Sequence, residues 1–172
     1  MVKLLQSMVL CLMVFGVCST LRAETLTHPE AALEFTIPDS WSKEQDGDYL
    51  VVKNKDEDIV MCFMVGKEAE AAEFMKALGT ELDKLLSDAK LDSHEAKHED
   101  VNDVHMTYVT GTGKIKSNEK FIPKGKKADD EVQWDMTLVT GGKKLLAIVT
   151  FGKLDDNEAA MSKIWQSIKK SH

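Results

Sequence analysis

Seven consecutive apolar residues, Ile59-Val60-Met61-Cys62-Phe63-Met64-Val65, follow the charged turn Lys55-Asp56-Glu57-Asp58. The run is too short for a buried helix and suits a strand, and a strand without polar side chains needs cover on both faces. That segment alone demands a layered architecture, with other elements packed above and below the sheet that holds it. The stretch Asp48 to Asn54, before the turn, reads as its hairpin partner.

The rest of the chain supplies candidates for the covering layers. Leu33-Glu34-Phe35-Thr36-Ile37 alternates apolar and polar and stops at Pro38. Between Lys67 and Ala89, the residues Ala71, Phe74, Leu78, Leu82 and Leu85 recur at spacings of three and four. This predicts an amphipathic helix of about 20 residues that tolerates Gly79. Strand periodicity returns from Val104 to Val109 and is expected to end in Gly111-Thr112-Gly113. Val132, Trp134, Met136 and Leu138 mark the inner face of another strand, and Gly141-Gly142 predicts a two-residue hairpin into Leu145–Phe151. A closing helix is expected to be capped by Asp155 with Glu158 as reciprocal partner. It would bury Met161, Ile164, Trp165 and Ile168, with Lys169 and Lys170 complementing its negative end. The expected fold is α+β: a mostly antiparallel sheet of six or seven strands flanked by two main helices.

Residues 1–23 follow different rules. Lys3 supplies a basic start, Leu4-Leu5 and Met8 to Val17 are apolar, and Leu21-Arg22-Ala23 ends on a small residue. That is the layout of a secretory signal peptide cleaved after Ala23. Its uninterrupted apolar part, about ten residues, is too short to span a bilayer. The chain therefore divides into a signal peptide, 1–23, and a single domain, 24–172, exported to the periplasm or beyond. Cleavage removes Lys3 and Arg22 but no acid, moving the formal charge from −7 to −9. Cys11 and Cys18 leave too, so Cys62 remains with no internal disulfide partner. Cys18 follows the bulky Val17 rather than a small residue, which favours a soluble product over a lipoprotein. An acidic chain disfavours nucleic acid and anionic lipid as partners. The lysines at 114, 116, 120, 124, 126 and 127 are followed at once by Asp129, Asp130 and Glu131, and read as a solvated loop between strands.

One string looks like an active site. His94-Glu95-Ala96-Lys97-His98 matches the H-E-x-x-H pattern of zinc peptidases. That chemistry requires a helix, which brings the two imidazoles within about 6 Å of each other so that they share a metal. On a strand they stand about 13 Å apart. The local sequence favours the strand, because only Ala96 is apolar between Leu91 and Val101, and Asp100-Val101-Asn102-Asp103 reads as a turn. A small zinc hydrolase using His94, Glu95 and His98 stands as the rival reading. Elsewhere, Cys62 reads as a buried inert thiol, and Ser40 and Ser42 lack a nucleophile context. The glycines at 111, 113, 141 and 142 lack a phosphate-loop pattern, and His28 and His172 read as solvated.

Phe35-Thr36-Ile37-Pro38-Asp39-Ser40-Trp41, then a hairpin, a long helix, the strand into Tyr108-Val109-Thr110-Gly111-Thr112-Gly113, and a closing helix with Ile164-Trp165-Gln166-Ser167-Ile168 together resemble the PsbP-like superfamily. Its members include the extrinsic photosystem II subunit, a nuclear Ran-binding factor and exported bacterial proteins. The resemblance covers about residues 30–170 and implies Phe35, Ile37 and Trp41 as core anchors within α/β/α layers. It implies binding or assembly rather than catalysis, and brings no catalytic residues, cofactor or metal to carry over. The leader fits the exported bacterial branch. The resulting expectation is a non-enzymatic envelope protein that binds another envelope protein through a sheet face or the lysine loop. A carrier of a small apolar ligand is a further alternative.

Overall fold

The apolar run becomes β5 (Ile59–Val65), an interior strand hydrogen-bonded to β4 (Tyr49–Lys53) on one side and β10 (Leu146–Gly152) on the other. A computed structural model of the protein describes residues 23–28, 30–46, 49–66, 71–93, 95–116 and 121–171. The line of strands continues outward from β4 to β3 (Ser42–Asp46). From β10 it runs through β9 (Glu131–Thr140), β8 (Val104–Ile115) and β6 (Leu86–Leu91). The outer edge of β8 has two occupants. β7 (Lys97–Val101) pairs with its first half and β6 with its second. Every pairing is antiparallel.

Both faces of this sheet are covered. On one lies α1 (Ala71–Leu85), whose Leu78 and Leu82 pack with Leu86, Trp134, Met136, Val149 and Phe151. On the other lie α2 (Leu154–Ser167) and a small sheet of β1 (Ala23–His28), β2 (Leu33–Pro38) and β11 (Lys169–Lys170). Phe35 stacks on Phe63 there, with ring centroids 4.5 Å apart and planes 3° from parallel. Phe35, Ile37 and Trp41 are buried, as are Met161, Ile164 and Ile168 of the closing stripe, while Trp165 is half-buried. The α+β expectation holds, but among the described residues the main sheet has eight strands rather than six or seven, and a three-stranded sheet is added.

Several local expectations change. The first helix stops at Leu85, not near Ala89, because Leu86 turns inward to pair with Ile115 and starts β6. Asp88, at a left-handed φ of 53°, accompanies the register shift that follows. Residues 67–70, at the expected start of that helix, lie outside the described residues. The strand expected to end at Gly111-Thr112-Gly113 continues to Ile115. Gly111 is required there: a side chain would strike the Lys90 carbonyl and the Trp134 ring. The Gly141-Gly142 turn is not a two-residue hairpin, since Leu146 pairs with Val139 and leaves residues 140–145 as the connection. That loop is drawn to the β1–β2 corner, where the Lys143 N–H donates to the Ala31 carbonyl at 2.9 Å. Lys169 and Lys170 form β11 rather than a helix end. The α2 cap also differs, as described below.

Candidate functional site

The H-E-x-x-H string forms no helix over residues 95–99. Glu95 sits in a bend, its N–H donating to Ser93 Oγ, and His98 lies exposed in β7 opposite Thr107. His94 lies outside the described residues. His98 Nδ1 is 3.1 Å from Thr107 Oγ1, and its ring stacks on His105 at 5.6 Å between centroids. His105 Nδ1 is 2.7 Å from Asp100 Oδ1. This hairpin surface is a hydrogen-bonded patch. Among the described residues, no three His, Cys, Asp or Glu side chains are grouped to hold a metal ion.

The lysine segment is divided rather than gathered. Lys114 pairs with Asp88 at 3.4 Å, Lys124 with Glu57 at 3.4 Å, and Lys126 Nζ donates to the Glu131 carbonyl at 2.8 Å. Lys116 donates to the Asp83 carbonyl, and Lys120 lies outside the described residues. Cys62 is buried. His28, expected in solvent, is half-buried in β1. Its burial lowers its pKa, which Glu30 counters and Lys144 reinforces. His172 lies outside the described residues.

The chemistry concentrates on the α2 face of β9, at residues that no motif in the sequence marks. Gln133, Asp135 and Thr137 alternate with Val132, Trp134 and Met136, so the two sets point to opposite faces. Alternation of that kind normally sends the polar set to water. Here α2 lies across it, and Asp135 and Thr137 are 5% and 3% exposed. Register places Asp135 between Thr110 of β8 and Thr150 of β10. Asp135 Oδ1 accepts from the Thr137 hydroxyl at 2.8 Å, and Oδ2 has no hydrogen-bond partner among the described residues. The Thr150 hydroxyl is fully buried and unpartnered as well. Burial pushes the Asp135 carboxyl up to about 7 from an ordinary 3.8, against the opposing pull of the Thr137 hydrogen bond.

Asp135 opens onto a cleft of about 420 Å³ between α2 and the strands β7, β8 and β9. Tyr108 and Thr110 share its floor, Lys97 and Glu99 stand along the β7 edge, and Glu158, Ser162 and Trp165 form the α2 wall. Lys97 Nζ lies 5.9 Å from the Tyr108 ring centroid, a cation–π contact. Thr110 Oγ1 donates to Asp92 Oδ2 at 2.9 Å where β6 gives way to β7.

Side chains from the sheet hold α2 at both ends. A helix start leaves N–H groups without partners, and Asp155 does not cap them as expected, since Lys153 stands at the N-cap without a side-chain bond. Gln133 does the work across space. Its Oε1 accepts from the Leu154 N–H at 2.9 Å, and its Nε2 donates to Asp155 Oδ2 at 2.7 Å. At the other end, Asn102 Nδ2 donates to the carbonyls of Gln166 at 2.8 Å and Ile168 at 3.0 Å. Asn102 and Asp103 make the two-residue β7–β8 turn, both with positive φ of 48° and 64°.

A second cavity, about 270 Å³ and mainly apolar, lies between α1 and the opposite face. Cys62, Met64, Leu82, Phe121 and Val149 are among its walls, and Glu81 and Lys84 also border it.

With this geometry in hand, the chain can be set beside known proteins. No family model matches it, and no curated protein sequence does either. Solved structures do. The solution structure of cyanobacterial PsbP (CyanoP) from Synechocystis sp. PCC 6803 aligns with a TM-score of 0.51 at 13% identity, covering 90% of this chain and 96% of that one. The fold is PsbP-like. A crystal structure from Bacteroides thetaiotaomicron aligns with a TM-score of 0.53 at 12% identity over 87% of this chain. The chain spans about half the length of that protein, 48%. At these identities the PsbP-like likeness is one of architecture.

Proposed function

We propose that this is an exported, non-enzymatic bacterial envelope protein that binds a partner protein, and that its binding site is the cleft beneath α2. The observation that carries this reading is Asp135, a buried carboxyl on the floor of a 420 Å³ cleft with one oxygen lacking a partner. Buried ionisable groups facing a cleft are costly to a fold and concentrate at functional sites. The PsbP-like architecture supports a binding role by analogy. Export rests on the leader, residues 1–23, which lies outside the described residues except for Ala23. Cleavage after Ala23 would remove one residue from β1 and leave Glu24, which pairs with Lys43, at the new N-terminus. Among the described residues, no helix is long and apolar enough to cross a membrane.

The test is crosslinking in living cells. A photo-crosslinking amino acid at Glu158 or Ser162, on the cleft wall, is expected to capture one defined envelope protein. The same group at Lys76, exposed on α1, should not. Equal capture from both positions, or none from the cleft, removes this reading. Intact mass of the periplasmic product checks the leader, with Glu24 expected as first residue. The apolar cavity under α1 favours a second reading, a carrier of a small apolar ligand, which native mass spectrometry of the exported protein would reveal as a bound lipid.

A further inference from the structure

The charges around the cleft decide what it can hold. Asp92 and Glu99 stand on the β6–β7 side, Asp155 and Glu158 on α2, and Asp135 on the floor, against the single Lys97. Acidic clusters alone are common on surfaces. This one differs in having its central member buried and facing the cavity with a free oxygen, beside a second buried hydroxyl, Thr150, that also lacks a partner. Two of the acids are committed, Asp92 to Thr110 and Asp155 to Gln133. Glu99 and Glu158 remain at the rim, and Tyr108 and Trp165 offer aromatic surface between rim and floor.

We infer that the cleft is a recognition site for a single organic cation, a guanidinium or primary ammonium group on an apolar stem, which sets its charge against Asp135 and its stem against Tyr108 and Trp165. Such a group supplies what the site lacks. It donates to the free Asp135 oxygen, it gains from the aromatic faces, and it passes a rim whose net charge attracts it. The same chemistry is carried by an arginine or lysine side chain of a partner protein and by a free small amine. The inference rests on the cleft being the binding site proposed above.

Binding and protonation are then linked. The groups facing Asp135 are Thr137 on its own strand, Thr110 and Tyr108 on β8, Thr150 on β10, Asp155 and Glu158 on α2, and Asp92, Lys97 and Glu99 along the edge. A cation prefers the ionised carboxylate, so it binds more tightly as Asp135 loses its proton. With that carboxyl titrating at about 7, the competent fraction rises about tenfold between pH 6 and pH 8, and affinity rises with it.

The experiment is an NMR titration with N-acetyl-arginine amide, with the uncharged isostere N-acetyl-citrulline amide as control. The arginine probe is expected to shift the amides of residues 133–137 and 155–165 and to bind about tenfold tighter than the citrulline probe, a separation of 1.4 kcal/mol. Its affinity should rise about tenfold from pH 6 to pH 8. Asp135→Asn should abolish the rise and weaken binding several-fold, and Glu158→Gln should weaken it while leaving the pH profile intact. Equal affinities for the two probes, or unchanged affinity and pH profile in Asp135→Asn, overturn the inference. If both probes shift the cleft equally, the cleft still binds and only its charge preference is lost, so the earlier reading survives. If neither probe binds there, the inference fails on its own terms, and the crosslinking result decides the earlier reading separately. A third arm, n-butylamine against an arginine-containing peptide, separates the two sources, since a partner side chain predicts the tighter binding for the peptide.

Discussion

Residues 150 and 151 are neighbours on β10, yet they face different worlds. Phe151 points into the α1 layer and packs in an apolar cluster with Trp134, Met136 and Val149. Thr150 points into the α2 layer beside Asp135, a carboxyl, and Thr137, a hydroxyl. Both side chains are buried to the same degree, at 1% and 0% exposure. One face of the sheet contributes stability through apolar contact, while part of the other gives up stability to keep polar groups out of water. A period of two residues is enough to separate the two tasks.

The contrast can be broken in order of expected effect. Phe151→Ala should cost about 3–5 kcal/mol in urea unfolding, equally at pH 5 and pH 8, because the cluster it packs in is apolar. A strong pH dependence of that loss would mean that the two faces are not independent. The Asp135 face should behave in the opposite way. Folding raises this carboxyl above 3.8 to about 7, so the folded state holds its proton more tightly across that window. Its contribution to stability is therefore complete below the window and is lost as pH rises through it, by at most about 4 kcal/mol. Asp135→Asn should flatten this slope and leave the protein more stable than the parent at pH 8. Stability curves of the two that run parallel from pH 4 to pH 8 would refute the buried-acid account.

Smaller effects test the frame around the cleft. Asn102→Gly keeps the left-handed turn but loses both donations to the end of α2, and should cost about 1–2 kcal/mol. The cost should appear as earlier hydrogen exchange in residues 164–168, with β5 unaffected. Thr150→Val removes a buried hydroxyl that has no partner, and should raise stability by up to about 1 kcal/mol. A loss on that substitution would show that Thr150 is hydrogen-bonded in solution.

What the sequence reveals here follows from which side of each element it can describe. The run Ile59–Val65 has one physical solution, and the fold repeats it: an interior strand with cover above and below. Phe35, Ile37 and Trp41 are legible for the same reason, as large apolar groups have nowhere else to go. Helix ends are harder. Leu85 and Leu86 satisfy the helical stripe and the strand pair with Ile115 equally well, so α1 ends where tertiary pairing takes over. The cleft was hidden by the alternation of β9 itself, since Gln133, Asp135 and Thr137 look like the wet face of a half-buried strand. A signal was present in α2. Its buried stripe begins at Met161, while Asp155, Asp156, Asn157 and Glu158 fill the preceding turn. A closing helix with a polar first half cannot seal an apolar sheet, and whatever it covers there has to be polar too. The Gln133 cap was likewise beyond reach, because it joins residues 21 positions apart.

The two-ended hold on α2 also bears on speed. Gln133 and Asn102 fasten the helix to the same sheet that supplies the floor, so the width of the slot is set before any visitor arrives. For the cation proposed above, little ordering would remain to be done on arrival, a saving that favours affinity. Association of such a cation would then run at the rate of collision and orientation rather than waiting on a helix to swing. Selection among such cations would fall to how quickly each one leaves.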